Sequence, residues 1–207
     1  MKKLAAALSF GLVAGIASAS TIQIQTGAHT GTGSFASALD YQTAVEAAVS
    51  APGATSKFVS SYDNLPISLN NSALAATIDF TASTAGTWEF RTGVDFGLGG
   101  AIFLDGVALA YNSNNMWWNG SYADPTQSFD ITSTLASGNH TLSIYGIENC
   151  CSGNQQAQYK IGDGAFTSFS HADGLVAVVP ETQTFAMLLA GLGLVGSMAR
   201  RRAGKQA

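Results

Sequence analysis

From Ile78 to Ile161 the chain alternates apolar and polar residues with a period of two. Ile78 and Phe80 flank Asp79, and Trp88 and Phe90 alternate with Glu89 and Arg91. Ile102 and Leu104 alternate with Phe103 and Asp105, Phe129 and Ile131 flank Asp130, and Leu142 and Ile144 flank Ser143. Tyr159 and Ile161 flank Lys160. Successive side chains of a strand point to opposite faces, so this period marks strands with one face buried. Asp105-Gly106 between two such runs signals a tight hairpin, and Gly86, Gly138 and Asp163-Gly164 mark further turns. About eight or nine strands at short spacing, without helices between them, favour an antiparallel β-sandwich or jelly roll over a parallel α/β sheet. The fold class expected is therefore all-β.

One helix precedes the strands. From Phe35 to Val49, the residues Phe35, Leu39, Val45 and Val49 fall near one helical face, and Pro52-Gly53 closes the segment. Upstream of it, Ile22 to Gln25 reads as a short strand.

The two ends have a different grammar. Lys2 and Lys3, the apolar stretch Leu4 to Ala17 and the small-residue site Ala17-Ser18-Ala19 read as a signal peptide, residues 1–19. At the other end, Pro180 and Glu181 precede an apolar run over 185–199, followed at once by Arg200, Arg201 and Arg202. That run would rise ~22 Å as a helix. It falls short of a ~30 Å hydrocarbon core, a mismatch that bilayer thinning and snorkelling absorb. The arginines belong on the cytoplasmic side, which leaves the rest of the chain outside. Residues 20–179 are then the folded domain and 180–207 a terminal membrane segment with a basic tail at 200–207.

Removing the ends changes the charge. The whole chain carries −4, but within 20–179 only Lys57, Arg91 and Lys160 stand against twelve acids, a balance of −9. Such a domain does not bind nucleic acid or an anionic membrane by charge.

Cys150 and Cys151 are the chain's two cysteines, and they are adjacent. Export to an oxidising compartment favours a vicinal disulfide, with two free thiols or pairing to another chain as the alternatives. Adjacent cysteines lack the spacing of a zinc site. Tyr111, Trp117, Trp118 and Tyr122 crowd a segment that also holds Asn115, Asn119 and Ser121. Flat rings beside amides suit a sugar, so Trp117, Trp118, Tyr122 and Asn119 are candidate ligand-binding residues. The alternative for the tryptophans is the sandwich core.

No catalytic constellation stands out. The chain has no G-x-S-x-G elbow, no H-E-x-x-H and no Gly-rich phosphate loop. His29, His140 and His171 are far apart in sequence. No catalytic residue is assigned, and the expectation is a protein that is not an enzyme.

Two resemblances add to this reading. Pro180-Glu181, a polar spacer, the run LLAGLGLVG and the arginine cluster resemble a PEP-CTERM sorting signal, with Thr182 where the usual motif has a second proline. The resemblance implies a Gram-negative bacterium that makes exopolysaccharide. It implies export across the inner membrane, cleavage near Pro180 by an exosortase-type membrane protease, and delivery to the cell surface or extracellular matrix. Residues 138–153, ending Glu148-Asn149-Cys150-Cys151-Ser152-Gly153, are similar to the CCXG group of such proteins.

Gly86-Thr87-Trp88-Glu89-Phe90, Val94-Asp95-Phe96-Gly97 and Ala101 to Gly106 together resemble the protective-antigen-type β-sandwich of adhesins and glycosidases. Calcium-dependent adhesins of that class hold the metal with two consecutive aspartates. Here Asp95 matches the first and Phe96 replaces the second. Calcium is thus the candidate cation, with Asp95, Asp105 and Glu148 as candidate ligands and Asp124 and Asn149 as further oxygen donors. A turn and strand role for Asp95 and Asp105 is the alternative. The function expected is a surface or matrix protein that binds polysaccharide. A secreted carbohydrate-active enzyme and a purely structural surface subunit are the alternatives.

Overall fold

The computed structural model describes residues 20–68 and 70–175. The signal peptide, Pro180, Glu181, the apolar run and Arg200 to Arg202 lie outside the described residues.

After β1 (Thr21–Ala28) comes α1 (Ala38–Val49), followed by β2 (Thr55–Val59), β3 (Leu65–Ser68), β4 (Ser72–Ala82) and β5 (Gly86–Gly93). Next are β6 (Asp95–Phe96), β7 (Gly100–Leu104), β8 (Val107–Asn112) and β9 (Met116–Trp117). The last four strands are β10 (Ser128–Leu135), β11 (Gly138–Glu148), β12 (Ser152–Ile161) and β13 (Thr167–Ser168). One sheet has the order β2-β1-β4-β11-β7-β8 and the other β10-β5-β12-β13, with β3 also on β12. Every pairing is antiparallel, and β6 and β9 form a separate ribbon. The all-β antiparallel sandwich with one short helix is the fold the alternation predicts.

The expected strand over Ile22 to Gln25 is β1, and after α1 the described strands number twelve rather than eight or nine. The excess comes from β6, β9 and β13, each two residues long. A two-residue strand has no period to read.

The core lies between the sheets. Ile22, Ile24, Leu74, Ile78, Phe80, Ile102 and Ile144 meet Trp88, Phe90, Phe129, Tyr159 and Phe169 across the gap. The six-stranded sheet is buried on its other face too, where α1 lays Ala38, Tyr41 and Val45 on Ala73, Ala75, Ala101 and Phe103. Phe103 is therefore covered, although its alternation with Ile102 and Leu104 suggested solvent. The small side chains of Ala73, Ala75 and Ala101 let the helix sit close.

The helix starts at Ala38, not Phe35. Ser37 is its N-cap, in extended geometry, and its Oγ accepts the Asp40 N–H at 3.2 Å. Leu39 is 62% exposed, and Tyr41 takes the buried face instead. Ala38, Tyr41 and Val45 are three and four residues apart, which puts them on one stripe that excludes Leu39. The Tyr41 hydroxyl donates to the Leu98 carbonyl at 2.6 Å and ties the helix to the segment entering β7. At the other end of β7, Asp105 and Gly106 both adopt positive φ and turn the chain into β8, as the hairpin signal predicts.

Candidate functional site

A cleft of about 370 Å³ opens where the β6–β9 ribbon meets the link between β11 and β12. That link is short. β11 ends at Glu148 in one sheet and β12 begins at Ser152 in the other, so Asn149, Cys150 and Cys151 cross between the sheets.

The ribbon sorts its residues by face. Phe96 pairs with Met116, and both are fully buried. Asp95 pairs with Trp117. Successive strand residues point oppositely, so Asp95 and Trp117 share the face away from Phe96 and Met116, and both line the cleft. The Phe96 ring seats on Gly146 of β11, where a β-carbon would come within 2.2 Å of it. Only glycine allows that approach, and it presses the ribbon onto the six-stranded sheet.

Glu148 closes the other wall. It is 2% exposed, and its two oxygens accept the backbone N–H groups of Gly97 (2.7 Å) and Cys150 (2.8 Å). A β-carbon on Gly97 would stand 2.4 Å from Asn149 Oδ1 and 2.7 Å from Glu148 Oε1, so both oxygens crowd over the bare Gly97 backbone. Asp95 is 8% exposed. Burial, and then the Glu148 carboxylate, push its pKa up to about 6.

Cys150 and Cys151 form the vicinal disulfide, with Cα atoms 3.7 Å apart. Both residues are exposed and line the cleft. Asn115 completes the polar lining.

The aromatic cluster divides. Trp117 is 62% exposed. Trp118 is 4% exposed, with its indole packed on the Gly93 backbone, so the ligand-contact assignment for Trp118 is corrected to a core role. Adjacent strand-like residues face opposite ways, and one of the two had to turn inward. Tyr122 is half-buried, donates its hydroxyl to Gln156 Oε1 at 3.1 Å, and lies under the Arg91 guanidinium, 4.1 Å from the ring centroid. Asn119 is exposed in a second cleft with Asp124 and Gln127, also bordered by Trp117. Asp124 accepts the Thr126 N–H at 2.9 Å in a local turn.

Asp105 does not join Asp95 and Glu148. Its Oδ1 accepts the Thr141 N–H at 2.8 Å, and Oδ2 pairs with His140 Nδ1 at 2.7 Å. Thr141 is near the start of β11 and Glu148 is at its end, a separation of ~23 Å at ~3.3 Å per residue. Asp105 serves the hairpin turn, as the alternative reading had it.

The donor set falls short of a protein cage for a hard cation. Such a cation takes about six to eight oxygens. Asp95, Glu148 and Asn149 supply acid and amide oxygens on one cleft, and among the described residues no group of three or more His, Cys, Asp or Glu gathers.

Comparison with known proteins bears on the fold. No protein-family model and no curated protein matches the chain. Among solved structures it is similar to a PA14 sugar-binding domain from an RTX adhesin, at TM-score 0.55 and 15% identity over 79% of this chain and 100% of that one. It is also similar to the PA14 domain of the MpAFP antifreeze protein, at TM-score 0.50 and 12% identity over 75% and 88%. The likeness is one of fold. It agrees with the resemblance to the protective-antigen-type sandwich, which spans roughly residues 74–170 around the motifs at 86–106.

Proposed function

We propose that the chain is an exported cell-surface or extracellular-matrix protein whose sandwich binds polysaccharide in the cleft between Trp117 and the Glu148 to Cys151 link. One observation carries this reading: an exposed indole shares an open cleft with the carboxyl and amide groups of Asp95, Asn115 and Asn149. A sugar ring has apolar C–H faces and hydroxyl edges, and the cleft has a partner for each. The PA14 likeness supports it, since one protein of that fold is a sugar-binding domain of an adhesin. Asn119, across Trp117, extends the same surface for a longer chain.

Calcium is the cation proposed. Asp95, Glu148 and Asn149 would hold it, with water and sugar hydroxyls completing its shell. It would supply a fixed positive charge that orients vicinal hydroxyls.

The tail supports sorting. Pro180, Glu181 and Arg200 to Arg202 mark the chain for an exosortase-type protease of a Gram-negative inner membrane, with exopolysaccharide as the partner outside. Mass spectrometry of envelope protein that lacks Arg200 to Arg202 is the expected result, and mature protein that retains them rejects processing.

Two carboxylates in one cleft also raise the carbohydrate-active enzyme reading. Glu148 argues against it, because its two oxygens accept the Gly97 and Cys150 N–H groups, which holds it as a carboxylate rather than a proton donor while leaving a lone pair on each oxygen for a cation. A glycan array on the full chain, run with calcium and with chelator, separates the readings. Binding without sugar release supports a binding protein. Release that disappears in Asp95→Asn supports an enzyme. No binding leaves a structural subunit.

A further inference from the structure

Cys150 and Cys151 are exposed within the crossover, on the cleft that holds Trp117 and Asp95. A disulfide that only braced the crossover would have no need to face this space. Joined across one peptide, the two residues present a compact surface of two methylenes and two sulfurs. Sulfur is polarisable and a weak hydrogen-bond acceptor, so this surface is apolar, and an apolar ring face loses little by lying on it. The Cys150 N–H, beside the disulfide, is already bonded to Glu148 Oε1 at 2.8 Å. That bond also fixes where the disulfide stands.

The electrostatics narrow the ligand. The cleft lining holds Asp95 and Glu148 and no basic side chain. Without a bound cation an anionic sugar meets repulsion there, and a neutral one does not. The volume of about 370 Å³ lies in the range of small-ligand clefts.

We propose that the Cys150–Cys151 disulfide is itself a ligand-contacting surface: a neutral pyranose lays its apolar C–H face on the two sulfurs, beside Trp117, and directs its hydroxyls to Asp95, Asn115 and Asn149. This rests on the carbohydrate reading above. It assigns the disulfide to recognition, and it makes binding depend on the oxidised state of the pair.

The test uses the full chain with lactose, cellobiose and chitobiose as neutral probes, each in calcium and in chelator, and a galacturonate tetramer in chelator as the anionic one. A water-soluble phosphine reduces the disulfide, breaking the S–S bond to two thiols while the phosphine becomes its oxide with oxygen from water. Reduction is followed by alkylation and intact mass, with and without each probe. A neutral sugar at ten times its Kd should slow reduction about tenfold, because only the unoccupied fraction reacts. The galacturonate should not slow it. The Cys150→Ala/Cys151→Ala variant should bind the same neutral sugar at least about fivefold more weakly, a loss of ~1 kcal/mol. If that variant does not fold, the protection measurement on the unaltered chain decides.

A neutral sugar that binds, depends on Trp117 and leaves the reduction rate unchanged overturns this inference while the carbohydrate reading stands. Equal protection by galacturonate overturns the claim for a neutral ligand. Binding of none of the three neutral probes, in calcium or in chelator, overturns both readings.

Discussion

Glu148 accepts the backbone N–H of Cys150, two residues ahead of it, at 2.8 Å. Its other oxygen takes the N–H of Gly97 at 2.7 Å. One carboxylate at the end of β11 therefore fixes both the disulfide link and the chain leaving β6. Glu148→Gln turns one of these acceptors into a donor facing an N–H. The expected cost is ~1–3 kcal/mol, read by thermal unfolding, with faster amide exchange at Gly97 or Cys150. Unchanged exchange at both amides would remove Glu148 from this role.

Asp95 links the site to pH. Its pKa, about 6, lies above the ordinary 3.8. The folded state thus holds the proton more tightly than the unfolded chain, and charged Asp95 costs stability above pH 6. That cost fades as pH falls through 6 towards 4. Asp95→Asn should stabilise the protein in chelator at pH 7.5 by on the order of 1–3 kcal/mol. The gain should be gone at pH 4. Equal melting temperatures of variant and parent at pH 7.5 would contradict this.

Calcium should act in the opposite sense. Millimolar calcium should raise the melting temperature at pH 7.5 by mass action. The rise should shrink as Asp95 takes its proton between pH 7 and 5, and should be absent in Asp95→Asn. A melting temperature indifferent to calcium rejects the cation.

The adjacent tryptophans should separate stability from binding. Trp118→Ala empties a buried site over Gly93 and should cost ~3–5 kcal/mol. Trp117→Ala changes an exposed ring and should stay within about 0.5 kcal/mol of the parent while weakening glycan binding. Thermal melts beside glycan titrations check both. A binding loss confined to Trp118→Ala would reverse the assignment.

Gly146→Ala tests the seat of the ribbon. The new β-carbon would meet the Phe96 ring, and overpacking of this kind costs ~1–3 kcal/mol. Because Asp95 precedes Phe96, glycan affinity should fall as well. An unchanged melt would mean that the ring has room to move.

Local chemistry made much of the fold legible. Alternation around Asp79, Glu89 and Ser143 marked strands, Asp105-Gly106 marked its hairpin, and the adjacency of Cys150 and Cys151 pointed to their disulfide. Each of these is decided within a few residues, by the strand period, the φ preference of a turn, or the absence of another cysteine. The tertiary structure decided what depends on partners far along the chain. Leu39 lost the buried face to Tyr41 because Ser37 set where the helix begins and the sheet beneath set which stripe it covers. Phe103 was buried because α1 lies on the outer face of its sheet. Trp117 and Trp118 read alike in sequence, and only the pairing of β6 with β9 sent one to the cleft and the other to the core. Asp95 met Glu148 and not Asp105 because β11 runs the length of the sheet and places Thr141, which holds Asp105, ~23 Å from Glu148. A strand's period is written in neighbouring residues, but the face it buries and the end at which it meets a partner are set by long-range pairing, which no local pattern contains.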